Sequence, residues 1–172
     1  INWLNIQWSY NGEGRARFLE KADPGGAILT GIATLAGFEL SSERIATALD
    51  SGDPEDEHSC FSDQTHHDIR ANFNGIRNVY LGIGLNSKKF SPSISQVVAE
   101  KNPALDKAII ELLEKTSNSI ENITIPFDKM LSEPENGLGR MAAEETISNL
   151  LAIAEKIKLA GNGLNWNVTI AE

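Results

Sequence analysis

The chain has 172 residues, of which 41% are hydrophobic and 23% are charged, and its net charge is −9. That length fits one domain with a core of its own, and the acidic balance argues against a nucleic-acid surface, because phosphate binding needs clustered Lys and Arg. One cysteine excludes an internal disulfide and a cysteine zinc cluster, and no apolar run approaches the roughly 18 residues of a transmembrane helix.

The first part of the chain predicts a lead-in followed by one long helix. Residues 1–22 are irregular in pattern, and we expect only a short helix there, over about 13–20. Asp23-Pro24 is typical of a helix start, since Asp can cap and Pro suits the first helical position. An apolar repeat near 3.6 residues then predicts a helix to about Asp50, with a kink near Gly37.

The second part predicts further helices joined by loops. A loop over 51–62 precedes a helix that ends near Leu81, with Ser62, Asp63 or Thr65 as its cap. Apolar repeats predict three more helical regions, over about 92–123 with a restart at Asn102-Pro103, over 126–131, and over 138–160 with Gly161 as the stop. Alternating strand patterns are nearly missing from the sequence. We therefore predict an all-α, up-and-down bundle of about four long helices, in a single domain spanning 1–172.

The residue types that bind metals or move protons are concentrated in one stretch. The segment 50–68 holds all three histidines, the only cysteine and seven carboxylates, but no Lys or Arg. On a helix, Asp63 could share a face with His66 or His67, and this mixture of oxygen and nitrogen ligands suits iron or zinc. The structural alternative is a helix N-terminus that attracts negative charge. Spacing alone favours capping and packing over metal binding.

One long motif in this stretch resembles the imelysin family, the iron-regulated proteins also described as insulin-cleaving membrane protease-like. The motif reads Glu57-His58-Ser59-Cys60-Phe61-Ser62-Asp63-x-Thr65-His66-x-Asp68-Ile69. The resemblance continues through Asn72 and Gly75-Ile76-x-Asn78-Val79-Tyr80-x-Gly82, and includes Glu43-Arg44 and Ile125-Pro126-Phe127-Asp128.

The resemblance is to the C-terminal half of a two-bundle protein. It implies a missing N-terminal half that carries a Gly-x-His-x-x-Glu motif, because none of the histidines here has Glu three residues later. It further implies export to the periplasm or outer-membrane surface of a Gram-negative bacterium, a role in iron uptake, and a site between the halves. The residues implicated there are Arg44, Glu57 and Ser59 as ligand-binding groups and His58, Asp63 and His66 as metal ligands, with iron expected rather than zinc.

Three functions stay open from the sequence. The first is a binding module of an exported iron-uptake system, which binds iron or an iron-carrying ligand. The second is half of a metallopeptidase that is active only with the other half, since the family carries that label and this chain lacks the His-bearing motif. The third is a purely structural helical fragment.

Overall fold

The fold is given by a computed structural model, and the structure describes residues 13–170. The aromatic start of the chain, with Trp3, Trp8 and Tyr10, lies outside the described residues. Helix α1 spans Glu13–Leu19, which confirms the short helix predicted for the lead-in. Within residues 13–170 there is no strand, and the predicted all-α bundle is confirmed.

The first long helix is continuous, but its backbone hydrogen bonding changes from α-helical to π-helical and back along its length. Helix α2 (Pro24–Thr34) runs directly into a π-helical segment (Leu35–Ala46) and then into α3 (Thr47–Ser51). The predicted start is confirmed, because the Gly26 N–H donates to Asp23 Oδ1 at 2.7 Å. Where the sequence predicts a kink, the structure instead has wider helical turns, which are frequent at functional sites.

The second long helix, α4, spans Thr65–Leu81. Its predicted side-chain cap is wrong for all three candidates, because Gln64 occupies the N-cap position and no side chain caps the helix. Asp63 lies before the helix in the left-handed region, with φ of 57°. Thr65 is already the first helical residue, and its hydroxyl accepts a hydrogen bond from the loop instead.

The remaining helices complete the bundle. They are α5 (Ile94–Lys101), α6 (Pro103–Glu121), α7 (Phe127–Leu131) and α8 (Leu138–Gly163). The restart at Asn102 is confirmed, since Asn102 Oδ1 accepts a hydrogen bond from Leu105 N at 3.1 Å. Gly161 is wrong as the stop of α8, because the helix continues two residues further. A Cβ at Gly161 would lie 2.2 Å from Val168 Cγ2, so close packing of the following segment explains this glycine.

Helix α8 is the centre of the packing. It contacts the π-helical segment, α6 and α2, while α5 links α4 to α6. The buried apolar side chains form one cluster, whose largest fully buried members include Leu29, Leu40, Ile69, Phe127, Leu150 and Ile153. None of the helices in the described part of the chain is long and apolar enough to cross a membrane. The four long helices therefore bring the loop 52–64, the turn before α7 and the start of α8 to the same end of the bundle.

The N-terminus of α8 is capped from a distance by Glu133. Its N-cap residue, Gly137, has no side chain, and Glu133 Oε2 accepts hydrogen bonds from Gly139 N at 2.9 Å and Arg140 N at 3.1 Å. The Thr124 hydroxyl donates to Oε1 of the same carboxylate. This hydroxyl and the two backbone N–H groups hold the pKa of Glu133 below its usual value of 4.5, against the opposing effect of burial.

We expect Glu133→Gln to lower the free energy of unfolding by about 1 kcal/mol at pH 7, as for the loss of a charged cap. Because the pKa is lower in the folded state, the contribution of the carboxylate is present above pH 4.5 and is lost as the pH falls through the folded-state pKa. Urea unfolding at pH 7 and pH 3 should therefore show the difference shrinking in acid. The exposed Glu135→Gln is the matched control, and a pH-independent deficit of Glu133→Gln would contradict the assignment.

Candidate functional site

The loop between α3 and α4 is shaped by two short 3₁₀ turns. Gly52, with φ of 67°, ends the first rod, and Asp53 Oδ1 accepts a hydrogen bond from Glu55 N at 3.0 Å at the start of the turn Pro54–Asp56. The second turn covers Cys60–Ser62, after which Asp63 N donates to Ser59 O at 3.0 Å. The two turns leave Glu57, His58 and Ser59 between them.

Ser59 connects this loop to helix α4. Its backbone N–H donates to Thr65 Oγ1 at 3.1 Å, and its hydroxyl donates to Oδ2 of Asp68. Thr65 is fully buried, and Asp68 lies one turn further along the same face of the helix. These two contacts fix the backbone and the side chain of Ser59 at once.

A line of hydrogen bonds continues from α4 to the π-helical segment. The side-chain amide of Asn72 donates to the backbone oxygen of Asp68 at 2.7 Å, and its Oδ1 accepts from Arg44 Nη1 at 2.8 Å. Arg44 Nη2 in turn lies 3.3 Å from Glu39 Oε2. Glu39 and Arg44 are five residues apart, which the i→i+5 pitch of a π-helix brings onto one side. The π-helical segment therefore holds Arg44 against the helix that anchors the loop.

Glu57 is the buried acid of the loop, with 6% of its surface exposed. Its Oε2 has no hydrogen-bond partner among the described residues. Burial raises the pKa of Glu57 above its usual value, the Thr65 hydroxyl opposes that effect, and the charges of Asp128 and Asp63 raise the pKa further. Asp128 belongs to the short helix α7. The fold therefore brings the charge of this helix close enough to act on Glu57, although the two residues are far apart in the sequence.

The three histidines differ in their surroundings. His58 and His67 are exposed, whereas His66 is half-buried at the start of α4 with its Nδ1 lacking a partner in the described structure. The rings of His66 and His67 lie 4.3 Å apart between centroids. Burial first, and then the charges of His67 and Arg70, lower the pKa of His66, while Asp63 and Asp68 oppose the change. The lowered pKa favours a neutral imidazole, the form that binds metals.

The structure brings the predicted site residues together only in part. Arg44, Glu57 and Ser59 are joined through Asn72, Asp68 and Thr65. The predicted metal ligands His58, Asp63 and His66 lie along the same loop and helix start, but within residues 13–170 no three His, Cys, Asp or Glu side chains are placed to hold a metal ion. The helical i,i+3 geometry expected for Asp63 and His66 is wrong, because Asp63 precedes the helix in a left-handed conformation.

Several residues of this network were not predicted as site residues. Thr65, Asp68 and Asn72 are three and four residues apart, and that spacing of polar residues on one face of a helix is the signal that could have identified them. Asp128 gives no such signal, because only the tertiary fold brings it to the loop. An apolar groove of about 540 Å³ between α1, α2 and α4 is lined by none of the candidate site residues.

Comparison with known proteins identifies the family of the chain. The family model for imelysin matches residues 1–157. The chain belongs to the imelysin family. Among curated proteins, none matches this imelysin-family chain.

A solved structure supports the same fold. The crystal structure of an imelysin peptidase from Bacteroides ovatus is similar to this chain with a TM-score of 0.67 and 25% sequence identity. The match covers 97% of this imelysin-family chain and 52% of the other. The chain therefore spans about half the length of that relative.

Proposed function

We propose that this chain is the ligand-binding part of an exported imelysin-type protein that serves iron acquisition. The observation that carries the proposal is the line of hydrogen bonds from Arg44 through Asn72 and Asp68 to Ser59. Such a network holds the loop between the two 3₁₀ turns in one arrangement, and binding sites depend on supporting contacts of this kind. The buried Glu57 lies in that loop, and the half-buried His66 lies in the first turn of α4, which follows the second 3₁₀ turn.

The proposed ligand is iron or an iron-carrying compound. Imidazole and carboxylate groups together suit iron. His58 and His66 offer two imidazoles and Asp63 offers one carboxylate, all within nine residues. This set is incomplete on the described residues, so the remaining ligands would come from the iron-carrying compound or from another part of a longer protein. We propose that this part is the N-terminal half with the Gly-x-His-x-x-Glu motif that the imelysin resemblance implies. The match to 52% of a related chain leaves room for such a half.

The proposed location is the periplasm or the outer-membrane surface of a Gram-negative bacterium. Its support is the imelysin resemblance of the motif in residues 57–69. Fractionation of the source cells with an antibody against the chain tests this proposal. Recovery of the protein only with cytoplasmic markers would contradict it.

Iron and zinc titration of the chain, alone and joined to the proposed N-terminal half, tests the site. We expect His58→Ala/His66→Ala to weaken iron binding at least about tenfold, because each substitution removes an imidazole nitrogen proposed to bind the iron directly. His67→Ala is the matched control, since His67 is exposed and adjacent to His66. Equal iron affinity of the wild type and the double variant would contradict the proposed metal ligands.

The pH dependence of the same titration adds a second readout. The pKa of His66 lies below the ordinary 6.5, so we expect part of the iron affinity to persist at pH 6 and to fall at lower pH as the imidazoles protonate. Calorimetric titrations between pH 5 and pH 7.5 measure this profile. An affinity that does not change over that range would argue against histidine ligands.

A second candidate is half of a metallopeptidase. The Bacteroides ovatus relative is named an imelysin peptidase, which favours peptidase activity. Catalysis would need an open metal position and a general base, and the buried Glu57 is the candidate base on this chain. Insulin cleavage by the joined halves, blocked by a chelator and lost in Glu57→Gln, would support this function.

A further inference from the structure

The apolar groove between α1, α2 and α4 is a surface that the proposed function does not use. It has a volume of about 540 Å³, and every residue that lines it in the described part of the chain is apolar. The larger of these side chains are Phe18, Ile28, Ile32, Leu35, Ile76 and Val79. Val79 is 48% exposed, so the groove is open to solvent. A connected apolar surface of this kind marks a binding site more often than it occurs without a function.

Two glycines of the groove are not explained by packing within the described residues. Gly31 in α2 and Gly75 in α4 lie in helix interiors, where glycine is destabilising relative to alanine. Neither has a positive φ, and a Cβ at either position would meet no atom within 4 Å. Their effect is to deepen the groove from both sides, which favours a ligand that approaches the helix backbone closely.

The shape and chemistry of the groove favour an alkyl chain as its occupant. The groove follows α2 from Ala27 to Leu35, roughly 12 Å at 1.5 Å per residue, so its volume corresponds to a cross-section of about 45 Å². A helix with its side chains is at least about 10 Å wide and needs nearly twice that area. An extended peptide would bury backbone N–H and C=O groups against side chains that offer no hydrogen-bond partner. An alkyl chain has neither requirement.

A cation lies at the rim of the groove. Lys21 Nζ lies 5.9 Å from the centroid of the Phe18 ring, and Phe18 lines the groove. Lys21 forms no ion pair with another described residue. The nearby Asp23 carboxylate already accepts hydrogen bonds from Gly26 N at 2.7 Å and Asn167 N at 2.6 Å. Charge complementarity at this rim therefore favours an anionic head group on the alkyl chain.

We propose that the groove binds a medium-chain carboxylic acid, with its alkyl chain between α2 and α4 and its carboxylate at Lys21. The volume lies in the ordinary range for small-molecule sites, and such sites combine an apolar lining with a few polar groups that fix the orientation of the ligand. None of the proposed iron ligands lines the groove, so this site and the iron site can be present or missing independently.

Calorimetric titration of the intact chain with hexanoate, octanoate and decanoate tests the inference. We expect the affinity to rise by about tenfold for each added pair of methylenes, because each is buried in the groove. Gly31→Leu/Gly75→Leu fills the groove from both sides and should weaken decanoate binding at least about tenfold. Gly163→Leu is the matched control, because its Cβ also meets no atom within 4 Å and it lies outside the groove. Thermal unfolding of the variants confirms that each is folded.

Replacement of Lys21 tests the head group. We expect Lys21→Gln to weaken decanoate binding by about two- to fivefold, as for an exposed ion pair, and to leave the binding of decan-1-ol unchanged. Equal decanoate affinity of the wild type and Lys21→Gln, or tighter binding of decyltrimethylammonium than of decanoate, would overturn the assignment of the carboxylate to Lys21.

Three other results would overturn the alkyl-chain site. They are equal decanoate affinity of the wild type and Gly31→Leu/Gly75→Leu, an affinity that does not rise with chain length, and the lack of any binding. Sedimentation velocity identifies the competing occupant. A dimer that Gly31→Leu/Gly75→Leu dissociates, in a chain that does not bind decanoate, would show that a second copy covers the groove.

Discussion

Replacement of Asp106 by Ala is expected to lower the free energy of unfolding by about 3 kcal/mol, because it leaves two buried hydroxyls without an acceptor. Asp106 Oδ1 accepts from the Tyr80 hydroxyl at 2.7 Å and from Ser95 Oγ at 2.8 Å. Tyr80 is fully buried, and Ser95 and Asp106 are each 8% exposed. This cluster joins α4, α5 and α6, so its loss weakens three helices at once.

Urea unfolding of Asp106→Ala with Glu114→Ala as the control measures the effect. Glu114 is exposed on the same helix, and its replacement should change the free energy of unfolding by less than about 0.5 kcal/mol. In a Tyr80→Phe background, Asp106→Ala should lower the free energy of unfolding by a smaller amount, because the Tyr80 hydroxyl that would lose its acceptor is already absent. Additive effects of Tyr80→Phe and Asp106→Ala would contradict the coupling of these side chains.

Gly37→Leu should lower the free energy of unfolding by about 2 kcal/mol, although Leu is the better helix former. A Cβ at Gly37 would lie 2.7 Å from Ala154 Cβ, so the side chain cannot enter without separating the π-helical segment from α8. That interface is one of the two most extensive contacts of α8, together with its contact with α6. Thermal and urea unfolding both report the change.

Gly31→Leu is the matched control for this substitution. Gly31 lies in α2 of the same helical rod, and a Cβ there meets no atom within 4 Å. We therefore expect Gly31→Leu to leave stability unchanged or to raise it by up to about 1 kcal/mol through helix propensity. Equal destabilisation by both leucines would show that overpacking against Ala154 is not the cause.

Three helix starts were predictable because they depend on local chemistry, whereas the cap predicted for α4 was wrong. Asp23-Pro24 and Asn102-Pro103 each place a capping side chain before a proline, and Pro126-Phe127 begins α7. The stop at Gly161 was wrong. The glycine is needed there because Val168 packs against its Cα and leaves no room for a side chain, and it does not end the helix. The π-helical segment was also not predictable, because an apolar repeat near 3.6 residues does not report a local change to i→i+5 hydrogen bonds.

The candidate site was predictable as a region but not as a geometry. The concentration of histidines and carboxylates in 50–68 pointed to the loop, and the imelysin resemblance implied Arg44, Glu57 and Ser59, whose binding role stays a prediction. The left-handed conformation of Asp63 and the approach of Asp128 depend on the folded loop and on a residue 65 positions away from Asp63. The spacing of residues along the sequence predicts neither the conformation of Asp63 nor the position of Asp128.

Paramagnetic NMR with iron tests most directly whether the loop between α3 and α4 is the binding site. Sub-stoichiometric iron(III) should broaden the amide signals of residues 57–68 first, because the proposed ligands His58, Asp63 and His66 lie in that stretch. His58→Ala/His66→Ala should abolish this selective broadening, whereas His67→Ala should not. Selective broadening elsewhere, or uniform broadening that the double variant leaves unchanged, would contradict the assignment of the loop as the site.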